Sequence, residues 1–339
     1  MAILKYLLAL AFSLLLTGCY EDIEPNIETE PVLCINSMIT AGEPIEVMVS
    51  HSWMFNNENG EKNHSVEDAK ISIYANGMLQ TENYIPKEGD NIRIVAESKK
   101  YGSAEASVTV PEAVPINSVD FSPVVLNVFK NSDLPMSEGL TFNMKISMKI
   151  VDTHSYDDYF KLDYNWASQT GDDDDGVDYN APHAPYTFFS FGTFEYKVEP
   201  IFEEYIGMFE SVMGNDYDDA LLIFSDRQFS RKDYTLRLQF NNASYLVESP
   251  EYDSELYDCS ITFYLATVSR SYYDRAIYVW QRDSGIIGDL GDLGFAEPIW
   301  GYSNVSSGAG IVAARSFSTY TLNLKDFIQQ TLNSNQYTK

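Results

Sequence analysis

Cys19 is the residue with the clearest chemistry in the sequence, because it directly follows a Leu-Thr-Gly triplet. Lys5 places a positive charge near the start, and an apolar run then covers residues 6–16. A positive start, a short apolar run and small residues before a cysteine predict a lipoprotein signal peptide. We therefore expect removal of residues 1–18 and acylation of the Cys19 thiol and its new amine. The alternative is an ordinary secretory signal with a chance cysteine.

The segment 152–219 is a second place where side chains could do chemistry. It holds 17 acidic and 16 aromatic residues but only two lysines. Exposed rings can stack on sugars or cations while carboxylates accept hydroxyl or ammonium protons. The alternative is that the rings fill the core and the acids form the solvated face of half-buried strands. The candidate ligand-contacting residues are Tyr156, Tyr159, Trp166, Tyr179 and Tyr186, with Trp300 and Tyr302 from further along the chain.

Four consecutive aspartates, residues 172–175, lie between Gly171 and Gly176. Calcium takes several carboxylate oxygens, so this loop is a candidate calcium site. An EF-hand alignment with Gly176 at the sixth position puts a glycine at the first ligand position and Pro182 at the twelfth, so that template fails. Another kind of calcium loop stays open, and the alternative is a self-repelling surface loop.

Familiar enzyme signatures are missing from the sequence. The four histidines show no metal-binding spacing, and there is neither a G-x-S-x-G elbow nor a phosphate-binding Gly-Lys loop. Fifty acidic residues guarantee that some carboxylate pair sits at the distance used in glycoside hydrolysis, so that signal does not discriminate. The sequence therefore assigns no catalytic, cofactor-binding or metal-ligating residues.

The charge of the chain excludes one class of partner, and its composition bears on the kind of fold. The formal net charge is −28, and an acidic chain repels phosphates, so we expect no nucleic-acid partner. The 24 tyrosines favour folded β structure over disorder. Besides Cys19, the chain has Cys34 and Cys259, each in an apolar run, which favours two buried thiols over a disulfide.

Alternation of apolar and polar residues predicts a mainly β protein with two domains. An acidic tether, residues 19–30, precedes an immunoglobulin-like or fibronectin-like β-sandwich over residues 31–113. Prolines at 111 and 115 predict the boundary to a larger domain, residues 116–339, which we expect to be an antiparallel sandwich or open barrel. Its strongest strand signal is the alternation over residues 140–150.

Two helical inserts are expected in the larger domain. Helical spacing of apolar residues predicts one near 200–213. The second is expected near 271–283, where Ser271 and Asp274 resemble a capping box. Glycines at 301, 308 and 310 then predict turns and close backbone packing between the second helix and the closing strands, with a ligand loop as the alternative.

Several stretches together resemble one family, the Bacteroidota lipoproteins of unknown function whose genes commonly lie beside outer-membrane TonB-dependent receptors. The Glu-Pro, Ser-Asn and Gly-x-Gly succession near the C-terminus is the most specific part of the resemblance. Glu21 and Asp22 also resemble the surface-export signal of such lipoproteins. The residues that carry the resemblance are 31–36, 66–74, 110–111, 114–116, 157–162, 271–273, 297–305 and 308–312.

The resemblance implies a cellular location and a neighbouring receptor gene, but no reaction. It implies a lipid anchor in the outer membrane, exposure at the cell surface and a TonB-dependent receptor as partner. The leading hypothesis is a non-catalytic accessory protein for nutrient capture, with a carbohydrate or peptide ligand. The alternatives are a surface glycoside hydrolase or peptidase with paired carboxylates, and a structural or adhesive surface protein.

Overall fold

Strands dominate the part of the chain that the computed structural model describes. That part comprises residues 30–52, 64–81, 83–130, 136–167, 187–190, 192–195, 198–203, 221–229, 233–248, 259–283, 288, 291 and 301–334. The expected signal peptide, Cys19, nearly all of the tether and the aspartate loop 172–175 lie outside these residues. Tyr179, Tyr186 and Trp300 lie outside them as well.

The described residues contain fifteen strands. In the first part of the chain they are β1 (Leu33–Thr40), β2 (Met48–His51), β3 (Lys70–Ala75), β4 (Met78–Leu79), β5 (Asn91–Ser98) and β6 (Gly102–Thr109). From residue 116 onward they are β7 (Ile116–Lys130), β8 (Met136–Val151), β9 (Tyr159–Ala167), β10 (Thr187–Ser190), β11 (Thr193–Phe194), β12 (Ile223–Ser225), β13 (Asp233–Glu248), β14 (Ser260–Val268) and β15 (Ala309–Asn323).

The strands form three sheets, which confirms the mainly β, sandwich-like fold. A four-stranded sheet has the order β4-β3-β5-β6, and a five-stranded sheet has the order β10-β13-β8-β7 with β11 on β13. The third sheet has six strands in the order β12-β9-β14-β15-β1-β2. In β8 the alternating residues from Leu140 to Ile150 are at most 1% exposed, as their spacing predicts.

The first strand pairs with the last one. β1 runs parallel to β15, with Cys34 opposite Ala309 and Thr40 opposite Arg315, and antiparallel to β2. Val305, Val312 and Ala314 from the C-terminal part accordingly share one core with β1, β5 and β6. Val32–Lys339 therefore forms one compact unit across the predicted boundary at residues 111–115.

The larger core lies between the five-stranded sheet and the β9–β14 part of the six-stranded sheet. Phe142 and Phe240 from the first meet Phe160 and Phe263 from the second. The other face of β14 is covered by the helix α1 (Arg270–Asp283), through Val268, Tyr273 and Trp280. Packing on both faces leaves seven of the nine residues of β14 buried.

Two α-helices are described, α1 and a C-terminal helix, α2 (Lys325–Asn333). The backbone of α1 starts one residue before the predicted position, because Ser269 Oγ accepts the backbone N–H of Tyr272. Asp274 instead accepts a bond from Arg270. Of the helix expected near 200–213, residues 200–203 form a 3-10 turn and residues 204–213 lie outside the described part. No helix among the described residues is both long enough and apolar enough to cross a bilayer.

Neither Cys34 nor Cys259 forms a disulfide. Cys259 is buried in the larger core, whereas Cys34 is partly exposed on β1. Burial nevertheless raises the pKa of the Cys34 thiol, which disfavours the reactive thiolate.

Gly308 and Gly310 permit the close approach of β15 to β1. A Cβ atom at Gly310 would lie 2.2 Å from the carbonyl oxygen of Ile35, and one at Gly308 would lie 2.5 Å from that of Leu33. Gly310 also has a φ of +107°, where side chains are rare. These two glycines serve backbone packing, as the sequence predicts, although the facing element is β1.

Gly310→Ala is therefore expected to destabilise the protein by roughly 2 to 4 kcal/mol, through backbone strain and a clash with β1. Urea unfolding measures this loss. Gly301→Ala is the matched control, because its nearest contact is the Tyr278 hydroxyl at 3.5 Å. The control should change stability by less than about 0.5 kcal/mol. Equal effects of the two substitutions would contradict the packing role.

Candidate functional site

A cluster of acidic side chains lies where the chain crosses from β8 to β9. The crossing loop, residues 152–158, joins a strand of the five-stranded sheet to one of the six-stranded sheet. Asp152 Oδ1 accepts the backbone N–H of His154 at 2.9 Å, and His154 Nδ1 lies 2.6 Å from Asp158 Oδ2. Asp152 is 2% exposed and Asp158 is 3% exposed, so both carboxyls are buried.

Asp226 brings a third buried carboxyl to this cluster. It opens the 3-10 turn that follows β12, and β12 pairs antiparallel with β9. Its backbone N–H donates to the Asp158 carbonyl oxygen at 3.1 Å, and the residue is 3% exposed. Asp226 is thus held beside Asp158 by strand pairing rather than by nearness in sequence. We call Asp152, His154, Asp158 and Asp226 the acidic cluster.

Two oxygens of the acidic cluster have no hydrogen-bond partner. They are Asp152 Oδ2 and Asp226 Oδ1, and both are buried. Buried polar atoms are nearly always hydrogen-bonded, and an unpartnered one costs about 1 to 3 kcal/mol, more when it is charged. A proton shared between the carboxyls of Asp152 and Asp226, or a bound cation, would satisfy these oxygens.

The surroundings of the acidic cluster add more negative than positive charge. Glu112 Oε2 lies 3.5 Å from His154 Nε2, on the side away from Asp158. Tyr156 stacks on the His154 ring with centroids 5.0 Å apart. Arg227 approaches Asp157 at 3.8 Å, but both side chains are more than half exposed, so this ion pair contributes little.

Burial controls the protonation of these groups. It raises the pKa of Asp158 to about 6; the hydrogen bond from His154 opposes this rise, and the charges of Asp152 and Asp226 add to it. Burial also raises the pKa of Asp226, and Asp152 and Asp157 contribute in the same direction. The arrangement can therefore hold a proton or a cation, since either would offset the carboxylate charge.

The burial of the acidic cluster bears on the expected enzymatic alternative. A glycoside hydrolase needs two carboxyls that contact the sugar ring. Here Asp152, Asp158 and Asp226 are all less than 4% exposed. A sugar ring cannot reach them in this conformation, so these three carboxyls are not the carboxylate pair of the expected hydrolase alternative.

The described members of the set expected to contact a ligand differ in exposure and in their surroundings. Tyr156 is 49% exposed and lies against the acidic cluster. Tyr159 is not exposed for contact with a ligand. It is 6% exposed, and its ring packs on that of Tyr273 with centroids 4.7 Å apart. Tyr302 is partly buried, and its carbonyl accepts a bond from Arg275. Trp166 lies on β9 opposite Ile261.

The C-terminal residues that carry the family resemblance have structural roles where they are described. The Asn304 side chain makes two hydrogen bonds to the backbone of Val312, at 2.8 and 2.9 Å. Ser271 Oγ also donates to the Val312 carbonyl at 3.0 Å. These bonds fasten the segment before β15 and the start of α1 to the same strand.

A separate groove of about 780 Å³ lies in the first part of the chain. Its lining mixes apolar and polar residues and comes from the segment before β2, from β3, and from β4 and the segment that follows it. The lining residues include Ile45, Val47, Ile71, Ile73 and Leu79. Because Lys70 is the one ionisable residue among those that line it, this groove is less suited to chemistry than the acidic cluster.

Sequence reasoning missed the acidic cluster as a unit. The spacing of Asp152, His154 and Asp158, with one and three intervening residues, was a usable signal within the acidic segment. Asp226 gave no signal, because only the pairing of β12 with β9 brings it to the loop.

The model of one protein family, described as Domain of unknown function (DUF4249), matches residues 20–321. The chain belongs to the DUF4249 family. The match covers all fifteen strands in whole or in part, together with the acidic cluster. Neither a curated protein nor a solved structure matches this chain. Because the DUF4249 description names no reaction or ligand, the function must be argued from the residues themselves.

Asp158→Asn is expected to remove a pH-dependent part of the stability. The usual pKa is 3.8 and the folded value is about 6, so between them the folded state keeps a proton that the unfolded state has lost. This stabilising contribution is complete below about pH 4 and is lost as the pH rises through about 6. Relative to the variant, the free energy of unfolding of the wild-type protein should fall by about 2 kcal/mol between about pH 4 and about pH 7.

Urea unfolding with a chelator present measures this difference. Asp120→Asn is the control for loss of a carboxylate, because Asp120 is exposed on β7, opposite Ser147 and outside the acidic cluster. Identical pH profiles for wild type and Asp158→Asn would contradict the assignment.

Proposed function

We propose that this DUF4249 protein is a lipid-anchored accessory protein on the outer surface of the outer membrane of a Bacteroidota bacterium. The observation that carries the proposal is Cys19, in the order of charge, apolar run and small residues that lipoprotein processing requires. Acyl chains on the thiol and on the amine supply the two hydrophobic anchors that stable membrane attachment takes.

The partner in this proposal is a TonB-dependent transporter. The support is the resemblance to lipoproteins encoded beside such receptors, together with acidic residues directly after Cys19 that resemble a surface-export signal. The eleven residues between Cys19 and Pro31 give a flexible tether a reach of roughly 18 Å. That reach lets the folded unit contact a receptor embedded in the same membrane.

The proposed role is ligand or nutrient binding without catalysis. The acidic and aromatic segment 152–219 supports it, since carboxylates and rings together suit a carbohydrate or peptide ligand. The exposed ring of Tyr156 is the described member of that segment that a ligand can reach. The carboxyls of the acidic cluster are buried and therefore do not supply the exposed carboxylate pair that hydrolysis of a sugar would need.

Cys19→Ser is expected to abolish incorporation of labelled fatty acid and to move the protein out of the membrane fraction. Cys34→Ser is the matched control, because it removes another cysteine without touching the expected acylation site. External protease should degrade the wild-type protein on intact cells. A Cys19→Ser variant that still sediments with membranes and still takes up label would overturn the anchoring.

The transporter partnership is tested by purification from membranes in mild detergent. A TonB-dependent receptor should co-purify with the wild-type protein and be identified by mass spectrometry. Deletion of the neighbouring receptor gene should remove this receptor from the purified sample. Purification without any receptor, from cells that express the neighbouring gene, would count against the partnership while leaving the lipid anchor intact.

A further inference from the structure

We propose that Asp152, His154, Asp158 and Asp226 bind one divalent cation through mixed nitrogen and oxygen donors, with Zn²⁺ as the best-fitting ion. This inference goes beyond the proposed function, because it concerns the folded unit and not its anchoring or its partner.

The geometry of three of the four residues already suits one ion. One ligand atom from each of Asp152, His154 and Asp158 lies within 4.8 Å of the others. Ligands at about 2.0 to 2.2 Å from Zn²⁺ stand roughly 3.3 Å from one another in a tetrahedron. Small rotations of the three side chains would bring these ligand atoms from their present separations to the spacing around Zn²⁺.

The unpartnered oxygens supply the independent reason for a ligand. Asp152 Oδ2 and Asp226 Oδ1 are buried without a donor. Glu199 provides a contrast within the same molecule, since it is also fully buried but accepts bonds from the Tyr234 hydroxyl and from the backbone N–H of Arg237. The protein thus supplies donors to both oxygens of the buried Glu199 carboxylate, whereas Asp152 Oδ2 and Asp226 Oδ1 have none.

The surroundings of His154 match those of a metal-bound imidazole. Metal-ligating histidines usually direct their second ring nitrogen at a carboxylate or carbonyl, which fixes the tautomer. His154 Nε2 lies 3.5 Å from Glu112 Oε2, which leaves Nδ1 directed at Asp158 and the cluster. With the proton on Nε2, the lone pair of Nδ1 is available to the cation.

The donor set selects among divalent cations. Calcium takes six to eight oxygen ligands, and magnesium keeps several waters. Three carboxylates and one imidazole form a smaller set, and imidazole favours Zn²⁺ and related ions over Ca²⁺ and Mg²⁺. A doubly charged cation would also offset the charge of three carboxylates that are less than 4% exposed.

The bound cation would connect three parts of the fold. Asp152 follows β8, Asp158 precedes β9, and Asp226 follows β12. Glu112 belongs to the segment that leads from β6 into β7. The ion would therefore fix the crossing between two sheets and, through Glu112, the segment that links the first and second parts of the chain.

The test uses purified full-length protein, stripped with a chelator and titrated with Zn²⁺ alone. Calorimetry should give one Zn²⁺ per chain. At a hundredfold excess over the dissociation constant, the melting temperature should rise by about 5 °C relative to the chelated protein. The same concentration of Ca²⁺ or Mg²⁺ should give a smaller rise.

Asp226→Asn is the decisive variant, and Asp120→Asn, at an exposed position on β7 outside the acidic cluster, is its control with the same loss of charge. Asp226→Asn should weaken Zn²⁺ binding by at least about tenfold. The control should bind within about twofold of wild type. In chelator, Asp226→Asn should melt at or above the wild-type temperature, because it removes repulsion among buried carboxylates.

Three results would overturn the proposal. They are wild-type Zn²⁺ binding that Asp226→Asn leaves unchanged, a larger melting shift with Ca²⁺ than with Zn²⁺, and a lower melting temperature of Asp226→Asn in chelator. None of these results depends on acylation at Cys19. They can therefore disprove the metal site without disproving the proposed function.

Discussion

The parallel pairing of β1 with β15 is the constraint on which the rest of the fold depends. Seven residue pairs, from Cys34 and Ala309 to Thr40 and Arg315, join the beginning of the folded unit to its end. The core around Leu33, Ile35 and Ile39 needs Val312 and Ala314 from β15 for its closure. Glycine at 308 and 310 is what allows the two backbones to approach.

The second constraint is the placement of charge inside an acidic protein. Most of the negative charge can remain in water, where it costs little and is screened. Glu199 is one buried exception with its own donors, and Asp152, Asp158 and Asp226 are buried together because strand ends on both sheets direct them inward at one crossing. A fold that keeps three carboxyls there needs protons or a cation to offset their charge, and this need distinguishes the acidic cluster from the solvated acids elsewhere.

The local features of the fold could be predicted from the sequence. The alternation in β8, the position of α1 and the role of the glycines near 308 all follow from short-range patterns. The pairing of β1 with β15 and the arrival of Asp226 beside Asp158 could not be predicted, because periodicity reports which face is buried but not which partner covers it. Tyr159 shows the same limit, since an aromatic residue in an acidic segment faces the core or the solvent according to its strand register.

Pairing between the two ends of the folded unit also sets an order of events. A chain that emerges with its N-terminus first, from a ribosome or a translocation pore, presents β1 about 275 residues before the partner that completes its sheet. Contacts of such long sequence separation make folding slow. The six-stranded sheet could therefore be completed only after β15 has emerged, on whichever side of a membrane that last strand is delivered to.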